Sequence, residues 1–190
     1  MPLRAANSPS DASNNRTDHL PLPRSELIVG AFRGHAGARR PAWKVPLDAA
    51  GRLALHHGEQ WAAETISRDS SADDHVVAAA KRSIDALNEV RVNLISEIDS
   101  WVERVVRASS DAPLHTETVG SVIDRLAIAW IRWRRFSDLS QHERSAIHSS
   151  LALRQLTELA GAYDVLVLDI HHGRRRVPRW RALKSYRGRR

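Results

Sequence analysis

Cysteine is absent from this chain of 190 residues, which excludes disulfides, thiolate nucleophiles and cysteine zinc sites. Long apolar runs are absent as well. None approaches the ~18 residues a membrane helix needs, so no membrane span is expected. The first residues lack the apolar core of a secretory signal, which makes the cytoplasm the expected location. There is no His-Glu-x-x-His and no glycine-rich phosphate loop. No Glu-x-x-His pair of the di-iron bundles occurs, and no serine sits in a nucleophile elbow. The adjacent pairs His56–His57 and His171–His172 either diverge on a helix or lie near a chain end. No metal and no cofactor are therefore expected.

What is present is enough for one domain with a core, at 42% hydrophobic residues and a formal charge of +7. That charge is unevenly placed. Residues 171–190 carry eight Arg and one Lys without an acid, so the other 170 residues sum to −2. Residues 1–24 are polar and aperiodic, and are expected to be disordered. Residues 25–47 read as an irregular lead-in, 48–170 as a helical domain and 171–190 as a basic tail.

The helical reading rests on spacing. Leu53, His57, Trp61, Glu64 and Arg68 recur at steps of four and three, which makes one helix stripe. A second helix is expected from about Asp73 to Arg107, with Val77, Ala80, Ile84, Leu87, Leu94, Ile98 and Val102 on its apolar seam. A third should start near Thr116, capped by Thr116 or Thr118, and a fourth should run from about Gln141 to Ile170. Four amphipathic helices with short links predict an all-α, up-down bundle.

Polar residues on core stripes are the informative ones. His57, Glu64 and Arg68 share the first stripe around Trp61, and Asn88 and Arg91 sit where the second seam asks for leucine. Lys81, Asp85 and Asp99 form a row beside that seam. Glu117 and Asp124 lie seven residues apart, with Gly120 and Ser121 leaving their side nearly bare to close approach. A buried charge must meet a partner, so Arg91 or Arg68 is expected against these carboxylates. Such groups can be structural ion pairs that set helix register, or they can line an interhelical pocket. In the second case His57, Glu64, Glu117 and Asp124 are acid–base candidates. Arg68, Lys81, Asp85, Asn88, Arg91 and Arg125 would then hold a small polar or phosphorylated ligand.

Two blocks of residues resemble a known family. They are Trp61-x-x-Glu64-x-x-x-Arg68 with Lys81-Arg82-x-Ile84-Asp85-x-Leu87-Asn88-x-x-Arg91, and Thr116-Glu117-Thr118-x-Gly120-x-x-x-Asp124-Arg125-Leu126. Both resemble the family catalogued as domain of unknown function 4254. Glu26-Leu27, Phe32-Arg33-Gly34 and Leu159-Ala160-x-Ala162-Tyr163-Asp164, leading to Gly173-Arg174-Arg175-Arg176, resemble its actinobacterial members. An excess of 26 Arg over 3 Lys suits such a source. Where the family pattern has Asn-Asp after the second-motif arginine, this chain has Val92-Asn93. The resemblance implies no particular reaction, only a setting among surface-glycan genes.

Two other functions compete with the ligand site. Arg174, Arg175, Arg176, Arg179, Arg181 and Arg187, interleaved with Trp180, could bind nucleic acid or another polyanion. The chain could also be a non-enzymatic assembly protein whose helices pair in a homodimer.

Overall fold

The computed structural model describes residues 20–35, 41–107, 110–139 and 143–180. The expected disorder of residues 1–19 and the cations Arg181 and Arg187 lie outside the described residues. Among the described residues there are five α-helices: α1 (Ser25–Phe32), α2 (Lys44–Ser67), α3 (Asp74–Val105), α4 (Val119–Asp138) and α5 (Glu143–His171). A short 3-10 turn, Pro41–Trp43, leads into α2. Among the described residues there is no strand, only an isolated bridge between Leu114 and Arg176.

Local chemistry explains the boundaries. Pro46 falls in the first turn of α2, where a missing N–H costs nothing. Thr118 caps α4, its Oγ1 accepting from the Ser121 amide at 3.1 Å. Asp73 precedes α3 in extended conformation, without a side-chain cap bond. Pro113 lies in the irregular stretch that separates α3 from α4.

Helix α4 is central and packs against α1, α2, α3 and α5, while α2 and α3 form one close pair and α4 and α5 another. Among the described residues α5 touches only α4 and α1, and the short α1 packs against α2 and α4 as well as α5. The core gathers Ile28, Phe32, Leu53, Leu94, Ile98, Ile123, Leu126, Trp130, Tyr163 and Val167 from all five helices. Phe32 and Trp130 meet as tilted rings 5.8 Å apart.

The expected irregular lead-in is corrected by α1 and by a start of α2 at Lys44. The expected disorder also extends too far inward, because Leu20, Leu22 and Pro23 are buried. The cause is long-range bonding that no local pattern reports. Arg24 gives α1 no side-chain cap, and Asp164 on α5 takes that role. Its carboxylate accepts from the Ser25 amide at 2.8 Å, the Ser25 hydroxyl at 2.9 Å and Arg24 Nη2 at 3.1 Å. A carboxylate at a helix N-terminus is favoured by the helix dipole as well. Next to it, the buried Tyr163 hydroxyl donates to the Pro23 carbonyl at 2.9 Å. Asp164→Ala is expected to cost about 1–3 kcal/mol, because it strips a buried amide and a hydroxyl of their acceptor. Hydrogen exchange should rise in α1 first, and equal protection in variant and parent would contradict this reading.

The end of the described chain is tied down as well. Arg176 donates from its amide to the Pro113 carbonyl at 3.1 Å and from Nε to the Ala112 carbonyl at 2.9 Å. Its own carbonyl accepts from the His115 amide at 2.7 Å. Arg174 pairs with Asp169 at 2.9 Å. The first part of the basic tail is thus held against the helical domain, and Pro178 is buried.

Candidate functional site

Three helices contribute one charged or polar side chain each to a cluster in which His57 and Asp124 are buried and Arg91 is half-buried. His57 comes from α2, Arg91 from α3 and Asp124 from α4. Asp124 lies at 3% exposure. Arg91 grips it with Nε to Oδ1 at 2.8 Å and Nη2 to Oδ2 at 2.6 Å, the two-pronged geometry that suits guanidinium and carboxylate. His57 Nε2 lies 2.8 Å from Oδ1. An ionised carboxylate only accepts, so Nε2 carries the proton of that bond.

Burial pushes the Asp124 carboxyl up, but the hydrogen bonds and charges of Arg91 and His57 outweigh it and hold the group below its ordinary value of 3.8. The bond to Asp124 likewise raises Arg91 above its ordinary value. The cluster is a filled junction between helices. No side chain of it lines the large groove described below.

Gly120, one turn before Asp124, makes this junction possible. A Cβ there would stand 2.6 Å from the Ile95 carbonyl oxygen and 2.8 Å from Asp99 Oδ1. The bare side of α4 is filled by the backbone of α3. The Gly120 amide donates to Asp99 Oδ1 at 2.7 Å. Burial pushes the Asp99 carboxyl up, and this amide only partly opposes it.

The other sequence candidates lie elsewhere. Glu117 turns to Arg125, with Nε at 2.7 Å from Oε2, on the protein surface. It precedes the first residue of α4, so the helical spacing that set it beside Asp124 does not apply. Glu64 pairs with Arg68, the residue just past the end of α2, at 2.9 Å, and the Arg68 side chain is 77% exposed. Trp61 stands at the edge of the core, edge-on to Phe136 at 6.3 Å. The second half of α2 and the first half of α3 run largely beyond the core, which leaves Lys81 and Asp85 exposed. Asn88 is half-buried and makes no bond to the cluster. Of the tail cations, Arg174 and Arg176 are engaged as described and Arg175 is half-buried, whereas Arg179 and Trp180 are exposed. Among the described residues no group of three or more His, Asp or Glu could hold a metal ion.

An open groove of about 1030 Å³ runs between α1, α2 and α4. Its floor includes Phe32, Gly51, Ala54, Gly58 and Trp130. Small residues along α2 keep it deep. Four arginines line it, Arg33, Arg52, Arg134 and Arg135, together with four carboxylates, Asp48, Glu59, Glu97 and Asp138. Arg52 faces Glu97 at 3.5 Å, and Arg135 Nη2 donates to the Gly58 carbonyl at 3.1 Å. Arg134 lies over the Trp130 ring, 5.4 Å from its centroid. Among the described residues Arg33, Arg134 and Arg135 have no carboxylate partner within salt-bridge distance. Trp130 Nε1 is buried and has no acceptor among them either.

Sequence reasoning missed this groove. Its cations come from separate segments, and Arg134 and Arg135 near the end of α4 look like ordinary partners of the helix dipole. The one available signal was the run Arg132-Trp133-Arg134-Arg135, denser in cations than a helix end requires.

Fold and site together define an all-helical protein. Its central helices are keyed by a buried carboxylate, and one face carries a groove with an arginine rim. No helix among the described residues is long and apolar enough to cross a membrane. The chain belongs to the family described as protein of unknown function, DUF4254, whose model matches residues 48–178. No curated protein and no solved structure matches it. The matched span holds His57, Arg91 and Asp124 together with Arg134 and Arg135, and it leaves out α1 and Arg33.

Proposed function

We propose that the groove between α1, α2 and α4 binds a small ligand bearing a phosphate or carboxylate group. The observation that carries this reading is the set of three guanidiniums, Arg33, Arg134 and Arg135, without carboxylate partners among the described residues, while two of the groove's acids, Asp48 and Glu97, are already paired with Lys44 and Arg52. Arg33 and Arg134 meet the anion, and Trp130 with the small residues of α2 accommodates the body of the ligand. The His57–Arg91–Asp124 cluster holds α2, α3 and α4 in register and so shapes the groove wall without entering it. None of the seam residues singled out in the sequence lines the groove, so this reading rests on other residues than the expected site.

The surface-glycan setting implied by the family resemblance makes phosphorylated sugars the natural first probes. Titration calorimetry with inorganic pyrophosphate and a panel of sugar phosphates tests the reading. Arg134→Ala removes one charge-assisted hydrogen-bonding partner and is expected to weaken binding roughly tenfold to a hundredfold, with an unchanged melting temperature. Equal affinity in parent and variant, or no binding by the parent to any probe, would overturn it.

A further inference from the structure

The outer face of α5 points directly away from the core and should be polar. It is not. Ile147, Leu151 and Val165 are each more than half exposed there. With Arg154, Glu158 and Gly161 they form one exposed stripe at steps of 4, 3, 4, 3 and 4. That is the seam spacing of helices that pair along their length.

The stripe has a second property, which concerns its order. A two-fold axis beside the outer face of α5, level with position 156, sets a second copy of the helix antiparallel to the first. It then places Ile147 opposite Val165, Leu151 opposite Gly161 and Arg154 opposite Glu158. Apolar meets apolar, large meets small, and cation meets anion. Because the axis is two-fold, every pairing occurs twice.

The single chain leaves these residues without other employment. A Cβ at Gly161 would meet nothing within 4 Å, so nothing inside the protomer requires a glycine there. Glycine within a helix is destabilising relative to alanine, and an external neighbour gives it a reason. Arg154 and Glu158 stand one turn apart on the same helix, yet neither forms an ion pair with any described residue.

We infer that the protein forms a homodimer through an antiparallel pair of α5 helices, with Leu151 of each copy seated on Gly161 of the other. The contact runs about 27 Å from Ile147 to Val165 at 1.5 Å per residue. Arg154 and Glu158 set its direction, since a parallel pair would put like charges together. The partner is a second copy of this chain, because the stripe is complementary to itself. The groove lies on the opposite side of α4 and stays open in such a dimer.

Sedimentation equilibrium on the full chain tests the inference. The parent is expected to be a dimer in low salt. Arg154→Glu sets acid against acid and should weaken dimerisation about tenfold or more. The double variant Arg154→Glu with Glu158→Arg restores opposite charges across the axis and should restore the dimer. Gly161→Leu should abolish dimerisation while leaving the helical circular-dichroism signal unchanged, because the protomer has open space at that Cβ. A parent that sediments as a monomer at every soluble concentration would overturn the inference. So would a double variant no more dimeric than Arg154→Glu alone, or a Gly161→Leu chain that remains dimeric.

Discussion

Asp124→Ala is expected to lower the stability of the protein by about 2–4 kcal/mol, the cost of taking the acceptor from a half-buried guanidinium and a buried histidine ring. Removing the carboxylate strands the Arg91 guanidinium and the His57 ring at the junction of α2, α3 and α4. For a chain of this size each kcal/mol moves the melting temperature by about 2–4 °C, so a fall of roughly 4–16 °C is expected. Asp124→Asn keeps the shape and one acceptor oxygen and should cost less. A second signature lies in the acid limb. Asp124 is held below its ordinary value of 3.8, so its contribution is fully present above that value and disappears as pH falls through the lower, folded-state value. The parent should therefore lose stability more steeply below about pH 4 than Asp124→Asn does. Urea titrations between pH 2 and 7 measure both effects, and coincident acid limbs would contradict the assignment.

Gly120→Ala is expected to cost about 2–3 kcal/mol, although alanine is the better helix former by about 1 kcal/mol. The added carbon meets the Ile95 carbonyl oxygen at 2.6 Å, and a backbone atom in the middle of a helix cannot turn aside as a side chain can. Either α3 and α4 separate along their contact, or Asp99 gives up its bond to the Gly120 amide. A thermal melt distinguishes this from the ordinary surface replacement, which stays within about 0.5 kcal/mol. An unchanged or raised melting temperature would show that the two helices do not approach as closely as described.

The long elements were legible because their amphipathic spacing is strong, and the meeting of Arg91 with Asp124 was legible because a charge on an apolar seam needs a partner. Thr118 as the cap of α4 followed from the same local chemistry. The failures share a cause. Arg68 and Glu117 were placed by extending a helix stripe past the region where the helix faces the core. Arg68 stands where α2 has already left the bundle, and Glu117 precedes the helix whose period it was assigned. Helix α1 spans only Ser25–Phe32, too few residues for a period to declare itself, and its cap comes from Asp164 far along the chain. The groove escaped notice for a related reason. Arg33 and Arg134 become neighbours of one cavity only after the chain has folded, and no spacing rule connects them.

The link between Arg24 and Asp164 spans 140 positions, and it places a timing constraint on the birth of the molecule. A ribosome adds about 5–20 residues per second, so α1 waits roughly 7–28 s before its anchoring carboxylate exists. During that interval α2 and α3 can already pair, because their contacts are close in sequence and form early. Leu27, Ile28 and Phe32 have no complete seat until α4 and α5 arrive. Helix α1 is thus made before α2 to α5 yet secured only when α5 arrives, and until then the nascent chain carries its apolar residues exposed.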